Sequence, residues 1–136
     1  MACGLITGLH EIDLPEKLKQ ALLDFYHSYR PHYNVDVLIC KGKNKVSIFL
    51  EYDSEVDVNA CTRACMESSM AFSCDFSKAI DSCKVHCKEK IADIVYNDLE
   101  DGYMLLRRIL KKAEFDFDII RDVNMPPSYI KFVVKL

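Results

Sequence analysis

Between Ser54 and Asp101 the chain contains neither glycine nor proline. A stretch that long without either breaker has few options other than helix. Ser73-Cys74-Asp75-Phe76-Ser77 is the one local run suited to a break, with Ser73 or Asp75 as the cap of the following helix. The pattern predicts a first helix near 57–72 and a second near 75–96. A third is expected over 99–113, because Asn97 and Glu100 make a capping-box pair. Arg107, Arg108, Lys111 and Lys112 lie toward its C-terminal end, where positive charge suits the helix dipole.

The remaining segments alternate between helical and strand periodicity. Leu14, Leu18, Ala21, Leu22, Phe25 and Tyr29 recur at helical spacing. They predict a helix over 14–29, with Asp13 as N-cap, Glu16 completing a capping box and Pro31 as the stop. Val35, Val37 and Ile39, then Val46, Ile48, Leu50 and Tyr52, alternate on either side of the turn Lys41-Gly42-Lys43-Asn44-Lys45, a hairpin pattern. A second hairpin is expected from 115–121 and 129–136 around Asn124-Met125-Pro126-Pro127. Met1–His10 is a candidate extra strand. The expected fold is therefore α+β: a mostly antiparallel sheet of about four strands in two hairpins, with about four helices, two of them forming a cysteine-rich antiparallel hairpin. At 136 residues, 1–136 reads as one domain.

Five of the seven cysteines fall in the breaker-free stretch, at Cys61, Cys65, Cys74, Cys83 and Cys87. Their spacing is symmetric about Cys74. A reversal of the chain there brings Cys65 opposite Cys83 and Cys61 opposite Cys87, and residues four apart share a helix face. Cys61-Thr62-Arg63-Ala64-Cys65 with Cys83-Lys84-Val85-His86-Cys87 resembles the twin CX3C arrangement of helical hairpins such as the small mitochondrial intermembrane-space chaperones. The resemblance covers about a fifth of the chain. It implies a hairpin stapled by two disulfides, Cys61–Cys87 and Cys65–Cys83, and carries over no function.

Three readings of these cysteines stand side by side. They can be small core hydrophobes, since Val58, Cys61, Cys65 and Phe72 make one apolar stripe and Phe76, Ile80, Cys83, Cys87, Ile91 and Ile94 another. They can be structural disulfides. Or Cys61, Cys65, Cys83 and Cys87, with His86, can hold a thiophilic metal, zinc or copper(I). An odd cysteine count and a start, Met1–Leu5, without a basic and apolar leader lead to the expectation of a soluble, cytoplasmic protein with mostly free thiols.

Net charge of −3 with both signs interspersed excludes the basic footprint of a nucleic-acid binder, and no segment is apolar enough for a membrane span. The chain has no P-loop, GxGxxG, GxSxG or HExxH. Lys41, Lys43 and Lys45 read as a solvated hairpin tip. Glu51, Asp53, Glu55 and Asp57 lack the glycine and closing glutamate of a calcium loop. His27 and His32, with Tyr26, Tyr29 and Tyr33, are candidates to line a pocket, and Asp116, Asp118 and Asp122 to form an acidic patch. The expected function is a small non-enzymatic binding or regulatory module acting through protein contacts, with a protein partner or itself as a homodimer. The alternatives are a metal- or redox-responsive protein and an enzyme with Cys74 as nucleophile.

Overall fold

The computed structural model describes residues 2–31, 35–52, 55–69, 76–121 and 129–136. One layer is a five-stranded antiparallel sheet of β1 (Ala2–Leu5), β2 (Asp36–Lys41), β3 (Lys45–Glu51), β4 (Asp116–Arg121) and β5 (Tyr129–Lys135), in the order β1-β2-β3-β5-β4. The other layer holds α1 (Glu16–Ser28), α2 (Glu55–Ser69) and α3 (Phe76–Lys112), and a short 3-10 helix spans Ile6–Glu11. The α+β class and the helical hairpin match the sequence pattern. The fifth strand is the candidate one at 1–10: Ala2–Leu5 pairs with β2, and the 3-10 helix takes up Ile6–Glu11.

The hairpin alternation places one face of the sheet in the core. Val37, Ile39, Val46, Ile48, Leu50, Ile130, Phe132 and Val134 are each at most 6% exposed. Register stacks them in rows, with Ile39 opposite Ile48 and Ile48 opposite Phe132. Leu18, Leu22 and Phe25 of α1 and Leu99, Leu106 and Leu110 of α3 complete the cluster.

Two helix boundaries differ from expectation. α1 begins at Glu16 with Pro15 in the capping position, and no side chain caps it. Leu14 precedes a proline and is disfavoured in helical geometry, so a helix capped at Asp13 would start through a strained residue. The Pro15 carbonyl accepts from the Leu18 and Lys19 amides, and Asp13 instead meets Lys41 Nζ at 3.2 Å.

The second and third expected helices are one continuous helix of 37 residues. The reason is a single buried stripe at spacings of four and three: Cys83, Cys87, Ile91, Val95, Leu99, Gly102, Leu106 and Leu110. A capping box at Asn97 is worth about 1 kcal/mol. Burying Val95 and Leu99 on one continuous face is worth about 1.5–3 kcal/mol each, so packing overrides the local signal. Gly102 lies where α3 crosses α1 and the sheet: a Cβ there would meet Tyr29 Cζ at 2.9 Å and Leu50 Cδ1 at 3.0 Å.

At about 1.5 Å per residue α3 is about 55 Å long, while a seven-residue strand spans about 23 Å. Its C-terminal half covers the sheet beside α1. Its N-terminal half is paired with α2, which makes its one substantial described interface with α3.

Three disulfides join Cys3–Cys40, Cys61–Cys87 and Cys65–Cys83. They overturn the expectation of a cytoplasmic protein with free thiols. Glutathione and thioredoxin hold cytosolic thiols reduced, so three intramolecular bridges belong to an oxidising, extracellular or secretory environment. The odd count misled because six cysteines pair regardless of the seventh; Cys74 lies outside the described residues.

Candidate functional site

The hairpin cysteines meet as their symmetric spacing implied. Cys83 and Cys87 are buried on α3, and Cys61 and Cys65 of α2 are half-buried against the core. Each bridge spans 5.8 Å between Cα atoms, an ordinary separation for facing helices. Thr62, buried between them, donates its hydroxyl to the Val58 carbonyl at 2.7 Å, so its polar atom is satisfied within the helix. In this oxidised form the four sulfurs are joined in pairs, and thiolates are what zinc or copper(I) would need. His86 is exposed beside them. Among the described residues no group of three or more His, Cys, Asp or Glu side chains is placed to hold a metal ion.

The aromatics near the end of α1 do line a cleft. Tyr26, His27, Tyr29 and Arg30, with Leu5 and Asp36, border about 380 Å³ between α1 and the start of β2. Two of its polar side chains are engaged within the chain. The Tyr29 hydroxyl turns inward and donates to the Asp98 carbonyl at 2.6 Å. Burial, with Asp98 and Asp101 nearby, pushes its ionisation well above the ordinary tyrosine range. Arg30 Nη1 donates to the carbonyls of Tyr29 at 2.9 Å and Tyr26 at 3.4 Å. A ligand site wants convergent polar groups facing the space, and here the Tyr29 hydroxyl turns inward and Arg30 Nη1 is held by backbone carbonyls.

The remaining candidates resolve locally. Lys41 pairs with Asp13, and Lys43 and Lys45 are solvated at the hairpin tip. Asp116 and Asp118 both reach Lys135 Nζ, at 3.8 and 3.6 Å. Arg121 hydrogen-bonds Glu100 and lies 4.1 Å from the centre of the Tyr103 ring. The Ser73–Asp75 break, Cys74, His32, Tyr33, Asp53, Asp122 and the turn 124–127 fall outside the described residues, as do the side chains of Glu55 and Asp57.

The surface that the pattern did not single out is the outer face of the sheet. Register aligns Leu5, Leu38, Phe49, Lys131 and Ile120 in one row across all five strands. The next row holds the Cys3–Cys40 bridge, Ser47, Val133 and Asp118. None of Leu5, Leu38, Phe49, Val133 and Ile120 belongs to the core cluster, and Leu5 and Ile120 are 49% and 47% exposed. Lys131 Nζ sits 5.2 Å from the centre of the Phe49 ring. An antiparallel sheet with one solvated face normally alternates apolar-in with polar-out. The signal available in sequence was the apolar residue at the outward positions 38, 49, 120 and 133.

The row is flanked by charge of opposite sign. At one end Asp36 and Glu51 share the face; at the other stand Lys45, Lys135 and, paired with Lys135, Asp116, which leaves that end with one net positive charge. Among the described residues Glu51 and Lys45 make no ion pair. No protein-family model, curated protein or solved structure matches the chain.

Proposed function

We propose that this chain is a small disulfide-stapled binding module that acts through protein contacts, with the outer face of the sheet as the contact surface. The observation that carries the reading is the row Leu5–Leu38–Phe49–Lys131–Ile120, apolar except for Lys131, whose ammonium lies by the Phe49 ring, with Val133 beside it, on a face outside the core. Contiguous apolar surface on a folded chain costs solubility and marks interaction sites. Three bridges suit a module that holds its shape where chaperones and reductants are scarce. The inward-turned Tyr29 hydroxyl and the engaged Arg30 leave the cleft at α1 poorly equipped for chemistry.

The test is site-specific photo-crosslinking in the native source. A photoreactive phenylalanine analogue replaces Phe49 on the outer face, or Val85 on the hairpin, which is 57% exposed. Adducts to another polypeptide at position 49 and none at 85 are expected. Adducts at 85 alone would move the contact surface to the hairpin, and none at either position would sink the reading.

A further inference from the structure

Resting on that reading, we propose that the outer sheet face pairs with the same face of a second copy, about a two-fold axis that crosses the strands over Ile48 and Phe132. A two-fold interface must be self-complementary, each patch meeting its own counterpart reversed. This face has that property. Its apolar side chains lie in the two central rows, beside Lys131 and Asp118, and its ends differ in net charge: Asp36 and Glu51 at one, Lys45 with the Lys135–Asp116 pair at the other.

A two-fold across the strands keeps each strand over its own copy and exchanges the ends. Asp36 and Glu51 of one chain then lie over the lysine end of the partner, where, among the described residues, Lys45 is the unpaired cation and Lys135 is shared with Asp116. The same contact repeats on the other side. The usual rotation of about 30° between stacked sheets shifts these positions by about one strand and leaves the acid row over the lysine row. At the centre Phe49 and Leu38 meet the partner's Ser47 and Cys3–Cys40 region, and Lys131 comes beside the partner's Asp118. A two-fold running along the strands would instead superpose acid on acid and lysine on lysine, and the sign pattern disfavours it.

The dimensions suit a weak pair. Five strands at about 4.8 Å spacing and about six residues at about 3.3 Å give a face of roughly 500 Å². Two such faces bury roughly 1,000 Å² or a little more, near the lower limit of a specific interface. The pair is therefore sought at tens of micromolar protein.

The experiment is sedimentation equilibrium on the full oxidised chain from about 5 to 500 µM, spanning the range where such an interface associates. The wild type is expected to form a dimer. Phe49→Asp and, independently, Ile120→Asp should be monomeric up to the highest concentration, with far-UV circular dichroism confirming the fold; both positions lie outside the core cluster. Asp36→Lys/Glu51→Lys makes both ends positive, and Lys45→Glu opposes the acid end with a second acid. Each should weaken self-association about tenfold or more, since every reversal acts twice in a two-fold pair. Mixing the two variants one to one should restore a dimer, because each end again meets its opposite.

A wild type that stays monomeric throughout overturns the self-pairing. If position 49 still crosslinks to a different protein, the binding-face reading survives it; if nothing crosslinks there, both fail. A dimer that persists in both Asp variants places the interface elsewhere. A mixture no tighter than its components overturns the two-fold across the strands.

Discussion

Removal of the two hairpin bridges should show a non-additivity that follows from their nesting. The inner bridge, Cys65–Cys83, closes a separation of 18 residues, and the outer, Cys61–Cys87, one of 26. Chain-entropy closure at 25 °C assigns about 3.2 and about 3.5 kcal/mol to these loops when each forms alone. With the inner bridge in place, the outer one closes a ring of only about ten residues, worth about 2.7 kcal/mol. Replacing either pair by alanine while the other remains should cost about 2.5 kcal/mol, and replacing both about 6 kcal/mol. Alanine is the right replacement because Cys83 and Cys87 are buried, where a serine hydroxyl would need a partner. The loss is large against the roughly 5–15 kcal/mol of stability usual for a small domain. Guanidinium unfolding followed by circular dichroism reads it, after an intact mass about 6 Da below the reduced chain has established three bridges. A double-pair variant that loses under about 2 kcal/mol would refute the loop-closure reasoning, and a mass equal to the fully reduced chain would remove its premise.

Three further outcomes follow from the packing. Gly102→Ala gains about 1 kcal/mol of helix propensity but loses about 1–3 kcal/mol by forcing a methyl against Tyr29 and Leu50. Thermal unfolding should show a net loss of about 1 kcal/mol, and a gain would mean that α3 lifts freely off α1. Tyr29 ionises at higher pH in the fold than in the unfolded chain, where its ordinary value is 10.0. Its contribution is therefore intact below pH 10 and declines as pH rises above it. Tyr29→Phe should cost about 1 kcal/mol at neutral pH through the lost bond to the Asp98 carbonyl. The advantage of wild type should shrink above about pH 10 and then reverse; an advantage that grows with pH would contradict the sign. Glu100→Gln should change stability by less than about 1 kcal/mol, because the Glu100–Arg121 pair is partly solvated. A double-mutant cycle with Arg121→Gln checks the value.

Periodicity and breakers are local properties, and they made much of this fold legible. The apolar stripe of α1, both strand pairs and the helical character of 55–69 and 76–112 could all be read from spacing. Local signals failed where two of them competed. Asp13 looked like a cap, but Pro15 one residue beyond Leu14 decided the boundary through backbone sterics. Asn97 and Glu100 looked like a helix start, but the stripe from Cys83 to Leu110 buries on one face only if the helix runs through.

For the candidate surfaces the division is the same. Cys61, Cys65, Cys83 and Cys87 announced that they face one another, because two helices of equal rise preserve a symmetric spacing across a reversal, but not that they are oxidised. Cys3 and Cys40 announced nothing, since only strand register brings residues 37 apart face to face. With them went the compartment, which depends on whether sulfurs meet rather than on how many there are. The outward residues at 38, 49, 120 and 133 were visible as letters, but their alignment is a matter of strand order. Composition and periodicity alone determined the α+β class and the cysteine hairpin, because those depend on contacts between near neighbours. Tertiary structure decided the fifth strand, the third bridge and the apolar row with its charged ends, because each depends on which distant strands lie side by side.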